Sequence, residues 1–358
     1  MSKFSFSFAA VSLTVLSMII MAGCKNSLLP YPGSEKNSAS GLQTPQPPQG
    51  SQIPQNPQGP TWYVSAGGNN SGGGADSSKP LATVQAALDK IKSEYRGGKW
   101  PAGKSAVIVV SGTVTGSGSF KSNQAMVDIS GAGNYPPVIL MGDPVKGGVL
   151  NANRNRNDEG RVLYIGNNTV TLGDNLTLTG GYTLWGGAVC VGTHGKDSKG
   201  EFIMAGGEIS GNTASLGGGV LIYKGKMTMT GGEIKINTTS KSYGNVMGTG
   251  GGVFVGEGTA FTMSGGTISG NGGAETDKGG GVAINGDGLF TMTGGDILNN
   301  TSTEHGGGVH ISPLGKFAMS GGTVNGNTSA ASGGVNVSSY GAVFDHTGGT
   351  ISGNTPNN

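Results

Sequence analysis

The sequence predicts an all-β protein, a right-handed parallel β-helix with three short strands per coil and a capping helix at its N-terminal end. Three observations carry that expectation. A phrase of the type "FTMSGGTISGN" recurs with its first apolar residue at Leu176, Phe202, Met227, Phe261, Phe290, Phe317 and Phe344, in steps of 26, 25, 34, 29, 27 and 27 residues, and a period of that size marks a solenoid. Upstream of each phrase after the first lies a glycine run and then an apolar, variable, apolar triplet, such as Val220-Leu221-Ile222 or Val253-Phe254-Val255; alternation with period two means strand. Within the phrase, Phe261 and Met263 flank Thr262, and Ile268 follows Thr267 beyond Gly265-Gly266, which supplies the second and third strands.

Composition taken alone would mislead. Of 358 residues 72 are glycine, 34% are hydrophobic and 12% are charged, values that without a period suggest low complexity. Each coil contains several glycines, each costing about 1 kcal/mol relative to alanine in a helix, so helical repeats are excluded, and the leucine frame of leucine-rich repeats is absent. In a parallel β-helix, equivalent residues of successive coils stack about 4.8 Å apart. The core is therefore expected as columns: Phe202, Met227, Phe261, Phe290, Phe317 and Phe344; Met204, Met229, Met263, Met292 and Met319; Ile209, Ile234, Ile268, Ile297, Val324 and Ile351. Asn212, Asn237, Asn271, Asn300, Asn327 and Asn354 each follow the third-strand residue by three. Asparagine tolerates turn backbone and stacked amides bond along a ladder, so these are read as structural even where they fall in the Asn-x-Thr glycosylation pattern.

The N-terminal stretch "MSKFSFSFAAVSLTVLSMIIMAGC" reads as a signal peptide over residues 1–23. Met21-Ala22-Gly23-Cys24 resembles the lipobox of bacterial lipoproteins, with Met in place of the usual Leu, Val or Ile. That resemblance implies acylation of Cys24 and a lipid anchor in the cell envelope, at the outer membrane or cell surface; an uncleaved anchor helix is the alternative. Cys190, the other cysteine, is expected on an outward strand position, which leaves no intrachain disulfide once Cys24 is acylated. Residues 24–61 are rich in Pro, Gln and Ser and bury too little apolar surface to fold. As a tether they reach up to roughly 100 Å from the lipid, with a coil-like average nearer 35 Å.

The β-helix domain is expected over residues 62–358, with a capping strand and helix at 62–95, irregular early coils at 106–175 and regular coils at 176–354. Tyr63 and Val64 form a short strand, Ser78 stands at an N-cap position before Pro80, and Leu81, Val84, Ala87, Leu88 and Ile91 make one apolar stripe. Early strands are expected at Ala106 to Val110, Val138 to Met141, Val149-Leu150, Val162 to Ile165 and Val170 to Leu178. A strand, a Gly/Asn loop and a Pro-x-x-Thr-x-x-x-Ala-Leu helix are similar to the entry of pectate-lyase-like β-helices, a resemblance spanning roughly residues 62 to 354. The Gly-Gly-x-Ile element is also similar to repeats of polymorphic outer-membrane proteins, though here the third position is Glu, Asp or Thr and the Phe-x-x-Asn partner is missing. No strand series for an autotransporter barrel follows Asn354.

The resemblance to pectate lyases implies Ca²⁺ held by acidic residues on an outer strand face and an Arg or Lys base, yet no motif here carries those residues over. The outward third-strand column reads Glu208, Glu233, Thr267, Asp296, Thr323, Thr350. Glu208 and Glu233 thus fall one coil apart, close enough to share a cation or a proton, or they splay into water. The Asn157-Asp158-Glu159-Gly160 loop with Arg154, Arg156 and Arg161 is expected to be solvated. His194, His305, His310 and His346 occupy different columns without metal-ligand spacing, and Asn285-Gly286-Asp287-Gly288 reads as a tight turn. No catalytic residue, metal or cofactor is assigned.

Solenoids place variation, and with it binding, on one face. The variable segments are Tyr182 to Trp185, Thr213 to Leu216, Thr238 to Thr249, Gly272 to Lys278 and Thr301 to His305. The candidate ligand-binding set is Trp185, Tyr182, Tyr243, Glu208, Glu233 and His305, with Trp185 and Tyr243 as rings suited to stacking on a sugar. With net charge +2 and no basic stripe, nucleic acid is excluded as a partner; the glycine runs do not lead from strand to helix as nucleotide loops do. The expectation is a lipid-anchored surface protein, a non-catalytic binding or adhesion module for polysaccharide or a host or envelope surface. A polysaccharide lyase or glycoside hydrolase, and a structural envelope spacer, are the rival readings.

Overall fold

The computed structural model describes residues 59–117, 124–131, 133–192, 200–241 and 247–356. The signal segment, Cys24, residues 24–58 of the tether, His194 and Tyr243 lie outside the described residues; the last tether residue, Thr61, opens a strand, Thr61–Ser65. What is described is a parallel β-helix: successive coils stack in register, and every ladder between strands of two or more residues is parallel, as in Val220-Leu221-Ile222 against Val253-Phe254-Val255. Strands of three or four residues recur in each regular coil, for example Val253–Val255, Ala260–Met263 and Thr267–Ser269. The second- and third-strand ladders form one sixteen-stranded sheet and the glycine-run triplets an eight-stranded one.

The columns expected from the repeat are the core. Phe202, Phe261, Phe290 and Phe317 are fully buried together with Met204, Met229, Met263, Met292 and Met319 and the third-strand residues Ile209, Ile234, Ile268, Ile297 and Val324. Phe261, Phe290, Phe317 and Phe344 stack nearly flat, with centroids 4.7, 4.7 and 5.0 Å apart, the distance set by the backbone ladder itself. The asparagine column is an amide ladder. Asn271 Nδ2 donates to Asn300 Oδ1 at 3.0 Å and to the Ile234 carbonyl at 2.8 Å, while its backbone N–H also donates to Asn300 Oδ1; the same set links Asn237 to Asn271, Asn300 to Asn327 and Asn327 to Asn354. A buried turn thereby satisfies its polar groups without water.

The second glycine of each Gly-Gly corner has a steric cause. Gly266 has φ +82°, and a Cβ there would lie 2.6 Å from Met229 Cε and 2.8 Å from the Gly232 carbonyl oxygen. Only glycine takes that backbone while letting the preceding coil so close.

Three expectations need correction. The helix, α1 (Val84–Arg96), is capped by Thr83, whose Oγ1 accepts from Ala86 N–H at 3.2 Å, and not by Ser78. Leu81 is drawn instead into β pairing: its N–H donates to the Tyr63 carbonyl and its carbonyl accepts from Ser65, so the helix cannot start before it. The stripe of Leu81, Val84, Ala87, Leu88 and Ile91 is buried as expected. Among the early strands, Ala125–Ile129 was not foreseen, and Val170 to Leu178 is two strands, Thr169–Leu172 and Leu176–Thr179, because Asn175 turns the chain at φ +60°. Segments read as variable loops form a third small parallel sheet of Tyr182–Trp185, Thr213–Leu216 and Thr238–Thr239; their Thr, Leu and Trp content suits a half-buried pleat.

Cys190 points away from the coil interior as expected, in register with Leu221, Phe254 and Ala283, and is 5% exposed. These four form a second, outer apolar cluster, against which Tyr164, Trp185, Leu216 and Tyr223 pack. Burial pushes the Cys190 thiol above its ordinary pKa.

Candidate functional site

Of the sequence-predicted residues, the structure brings Glu208 and Glu233 together. The outward third-strand column runs in register through Thr113, Val149, Thr177, Glu208, Glu233, Thr267, Asp296, Thr323 and Thr350. Its first five members line one shallow groove of about 530 Å³, with Lys146 and Asn175 also on its wall. The groove is a product of the repeat: each strand contributes one outward side chain at this position, and the corner glycines Gly112, Gly147, Gly148 and Gly207 leave its floor low.

The cation that the two glutamates share is the chain's own. Lys235 follows Glu233 by two residues, so it faces the same side of the strand, and its register partner is Ser210, two residues past Glu208. Lys235 Nζ lies 2.9 Å from Glu208 Oε2 and 2.6 Å from Glu233 Oε2. Burial by itself would raise the Glu208 carboxyl, but hydrogen bonds from Ser210 and Lys235 and the Lys235 charge outweigh it and hold the group below the usual range. Hydrogen bonds to Glu233 and Glu208 hold the Lys235 ammonium above its usual value. Glu208, lowered by the ammonium that it shares with Glu233, carries a fixed negative charge near neutral pH.

The other candidates lie elsewhere. Trp185 stacks on Tyr223 at 6.1 Å between centroids with planes 12° apart and is partly covered on the outer cluster. Tyr182 is half-buried, its hydroxyl 3.1 Å from Ser240 Oγ. His305 lies against His310, ring centroids 6.0 Å apart. The sequence places these two in different columns, and so they are, but the columns face each other across the outer corner. His310, 2% exposed, is pushed down to about 4 by burial and by the charges of Lys278 and His305. Among the described residues no group of three or more His, Cys, Asp or Glu is arranged to hold a metal ion.

The arginine loop is solvated in part: Asn155, Arg156 and Asn157 are exposed, while Arg161 is buried. Arg154 is nearly buried, paired with Asp158 and bonded to the carbonyls of Ala152 and Gly116, because the loop folds back on the coil edge through the Asn155–Asp158 bridge. Asn285 to Gly288 is the tight turn expected, with Asp287 Oδ1 accepting from Gly258 N–H at 2.6 Å. Sequence reasoning missed Lys235, although its i+2 spacing from Glu233 was a readable signal; it missed Tyr223 because its ring partner is 38 residues away in the chain.

The fold and groove define a parallel β-helix with a polar, charge-balanced outer face. No family model matches the chain, and no curated protein does. Among solved structures it is similar to one described as "Rhamnogalacturonan lyase", at 14% identity, covering 82% of this chain and 87% of that chain, with a TM-score of 0.31.

Proposed function

We propose that this protein is a lipid-anchored envelope protein whose β-helix binds polysaccharide through the outward third-strand groove, without turning it over. The observation that carries the reading is the Glu208–Lys235–Glu233 clamp. A bare pair of carboxylates one coil apart would invite a metal ion or a shared proton; with Lys235 between them, the groove offers set donors and acceptors instead. Five coils at about 4.8 Å give a row of roughly 19 Å. Thr113, Thr177, the two glutamates and Lys235 present hydroxyl, carboxylate and ammonium groups along it. A linear polymer whose own hydroxyls recur along its length matches such a row better than a compact ligand does. The envelope assignment rests on the sequence, in the resemblance of Met21 to Cys24 to a lipobox.

Two experiments test the reading. The full-length chain on a polysaccharide array should bind at least one polymer, and Thr177→Ala combined with Glu208→Ala should weaken that binding at least tenfold with β-rich circular dichroism unchanged. Release of unsaturated uronide or new reducing ends from the bound polymer would overturn the non-catalytic reading. Cys24→Ser should move the protein from the membrane fraction to the soluble one; retention in membranes with its leader uncleaved would favour an anchor helix.

A further inference from the structure

The contact between His305 and His310 follows from the spacing of the coil. Five residues before the middle of each glycine-run triplet stands a residue of a second column: Trp185 before Cys190, Leu216 before Leu221, Thr249 before Phe254, Lys278 before Ala283 and His305 before His310. Trp185, Leu216, Thr249, Lys278 and His305 are paired from coil to coil, as are Cys190, Leu221, Phe254, Ala283, His310 and Asn336. In the earlier coils the two columns meet through apolar side chains. At His305 and His310 the same contact is made by two imidazoles, with ring centroids 6.0 Å apart.

Their ring nitrogens are out of place in a dry corner. His310 is 2% exposed, and neither its Nδ1 nor that of half-buried His305 has a hydrogen-bond partner. Buried polar atoms are nearly always bonded, so two bare nitrogens on neighbouring rings call for a ligand. The rest of His310 is arranged for one. Its hydrogen bond to Asn336 uses Nε2, since Nδ1 is bare. Asn336 Nδ2 donates in turn to Ser332 Oγ at 3.3 Å, which leaves the amide oxygen to accept from the ring. That bond puts the His310 proton on Nε2 and a lone pair on Nδ1, the arrangement that orients a metal-binding imidazole.

We propose that His305 and His310 bind one copper(I) ion through their two Nδ1 atoms. Two rings joined in a line by one ion, with metal–nitrogen bonds of about 2 Å and each nitrogen about 1 Å from its ring centre, have centroids roughly 6 Å apart. The observed separation is 6.0 Å. Two ligands are too few for a structural zinc, which takes four, and among the described residues no third His, Cys, Asp or Glu joins them. Copper accepts imidazole, and in its monovalent state two such ligands suffice. Lys278, the register neighbour of His305, sets its positive charge against the His310 ring, which opposes a divalent ion more than a monovalent one. The pair sits by the eight-stranded sheet and the Glu208 groove on the sixteen-stranded one, so the copper site stands independently of polysaccharide binding.

The test uses the full-length chain in detergent, without oxygen and with ascorbate, titrated with copper(I) against the chromogenic chelator bicinchoninate. One equivalent should pass from the chelator to the protein. His305→Leu and His310→Phe, which carry side chains that earlier coils use in these columns, should each weaken binding at least a hundredfold with circular dichroism unchanged. Asn336→Leu, which removes only the orienting bond, should weaken it about tenfold. Ring nitrogen-15 spectra of the unaltered protein give a readout that needs no variant: one equivalent of copper(I) should move the Nδ1 signals of His305 and His310 and leave those of His194 and His346 in place. No uptake, uptake unchanged in both histidine variants, zinc displacing copper(I) from the pair, or Nδ1 signals that do not move would each overturn the proposal.

Discussion

Phe261 sits midway in a continuous stack, with Phe290 at 4.7 Å on one side and Met227 as its register neighbour on the other. Coil spacing is fixed by backbone hydrogen bonds, so neighbouring side chains cannot close over a missing ring. Phe261→Ala should therefore cost about 3–5 kcal/mol in chemical denaturation; a change below 1 kcal/mol would contradict the stack. Asn271 is held differently but no less firmly. Its Oδ1 accepts from both the N–H and Nδ2 of Asn237, and Nδ2 of Asn237 keeps other carbonyl partners while its N–H does not. Asn271→Ala thus strands a buried N–H at a cost of about 1–3 kcal/mol, and Asn354→Ala, which strands the Asn327 N–H in the same way, should cost a similar amount. No loss at either site would argue against a ladder. These columns were legible in the sequence because a solenoid stacks like on like: the repeat period alone names the neighbours.

Elements were less legible wherever the period falters. The helix start was misplaced because Ser78 and Pro80 form a credible cap in sequence, while the competing β pairing of Leu81 with Val64 is a contact no local pattern records. Thr83→Ala should lower stability by about 1 kcal/mol, and Ser78→Ala should leave it unchanged within a few tenths; the reverse order would restore the earlier helix start. Short strands such as Thr213–Leu216 were taken for loops because each owes its pairing to the coils on either side, not to its own alternation. The groove was half legible. Register put Glu208 beside Glu233, but the ion between them required seeing which side Lys235 faces. The position of Trp185 has a related reason: the outward triplet column Cys190, Leu221, Phe254 and Ala283 is apolar, and an apolar outer column demands a cover, which Trp185 and Tyr223, both partly buried, supply.

At the scale of the whole molecule, the described β-helix displays its polar side chains along one outer column, from Thr113 to Thr350. The proposed function requires that the groove hold fixed charges for binding and no reactive acid. The groove's pH response follows from the signs of the shifts. Glu208, depressed in the folded chain, adds stability above its unfolded pKa that is lost as pH falls through the folded one; Lys235, raised, adds stability below its unfolded pKa that is lost as pH climbs through the folded one. With both partners about one-third exposed, Lys235→Met should cost no more than about 1 kcal/mol, so stability alone is a blunt probe. The direct measurement is a carboxyl carbon-13 titration of Glu208 in the intact protein and in Lys235→Met. The account predicts a midpoint below the ordinary glutamate value that moves upward in the variant, where burial is left unopposed. A midpoint above the ordinary value in the intact protein, unmoved by Lys235→Met, would show a protonated acid free for catalysis and would contradict it.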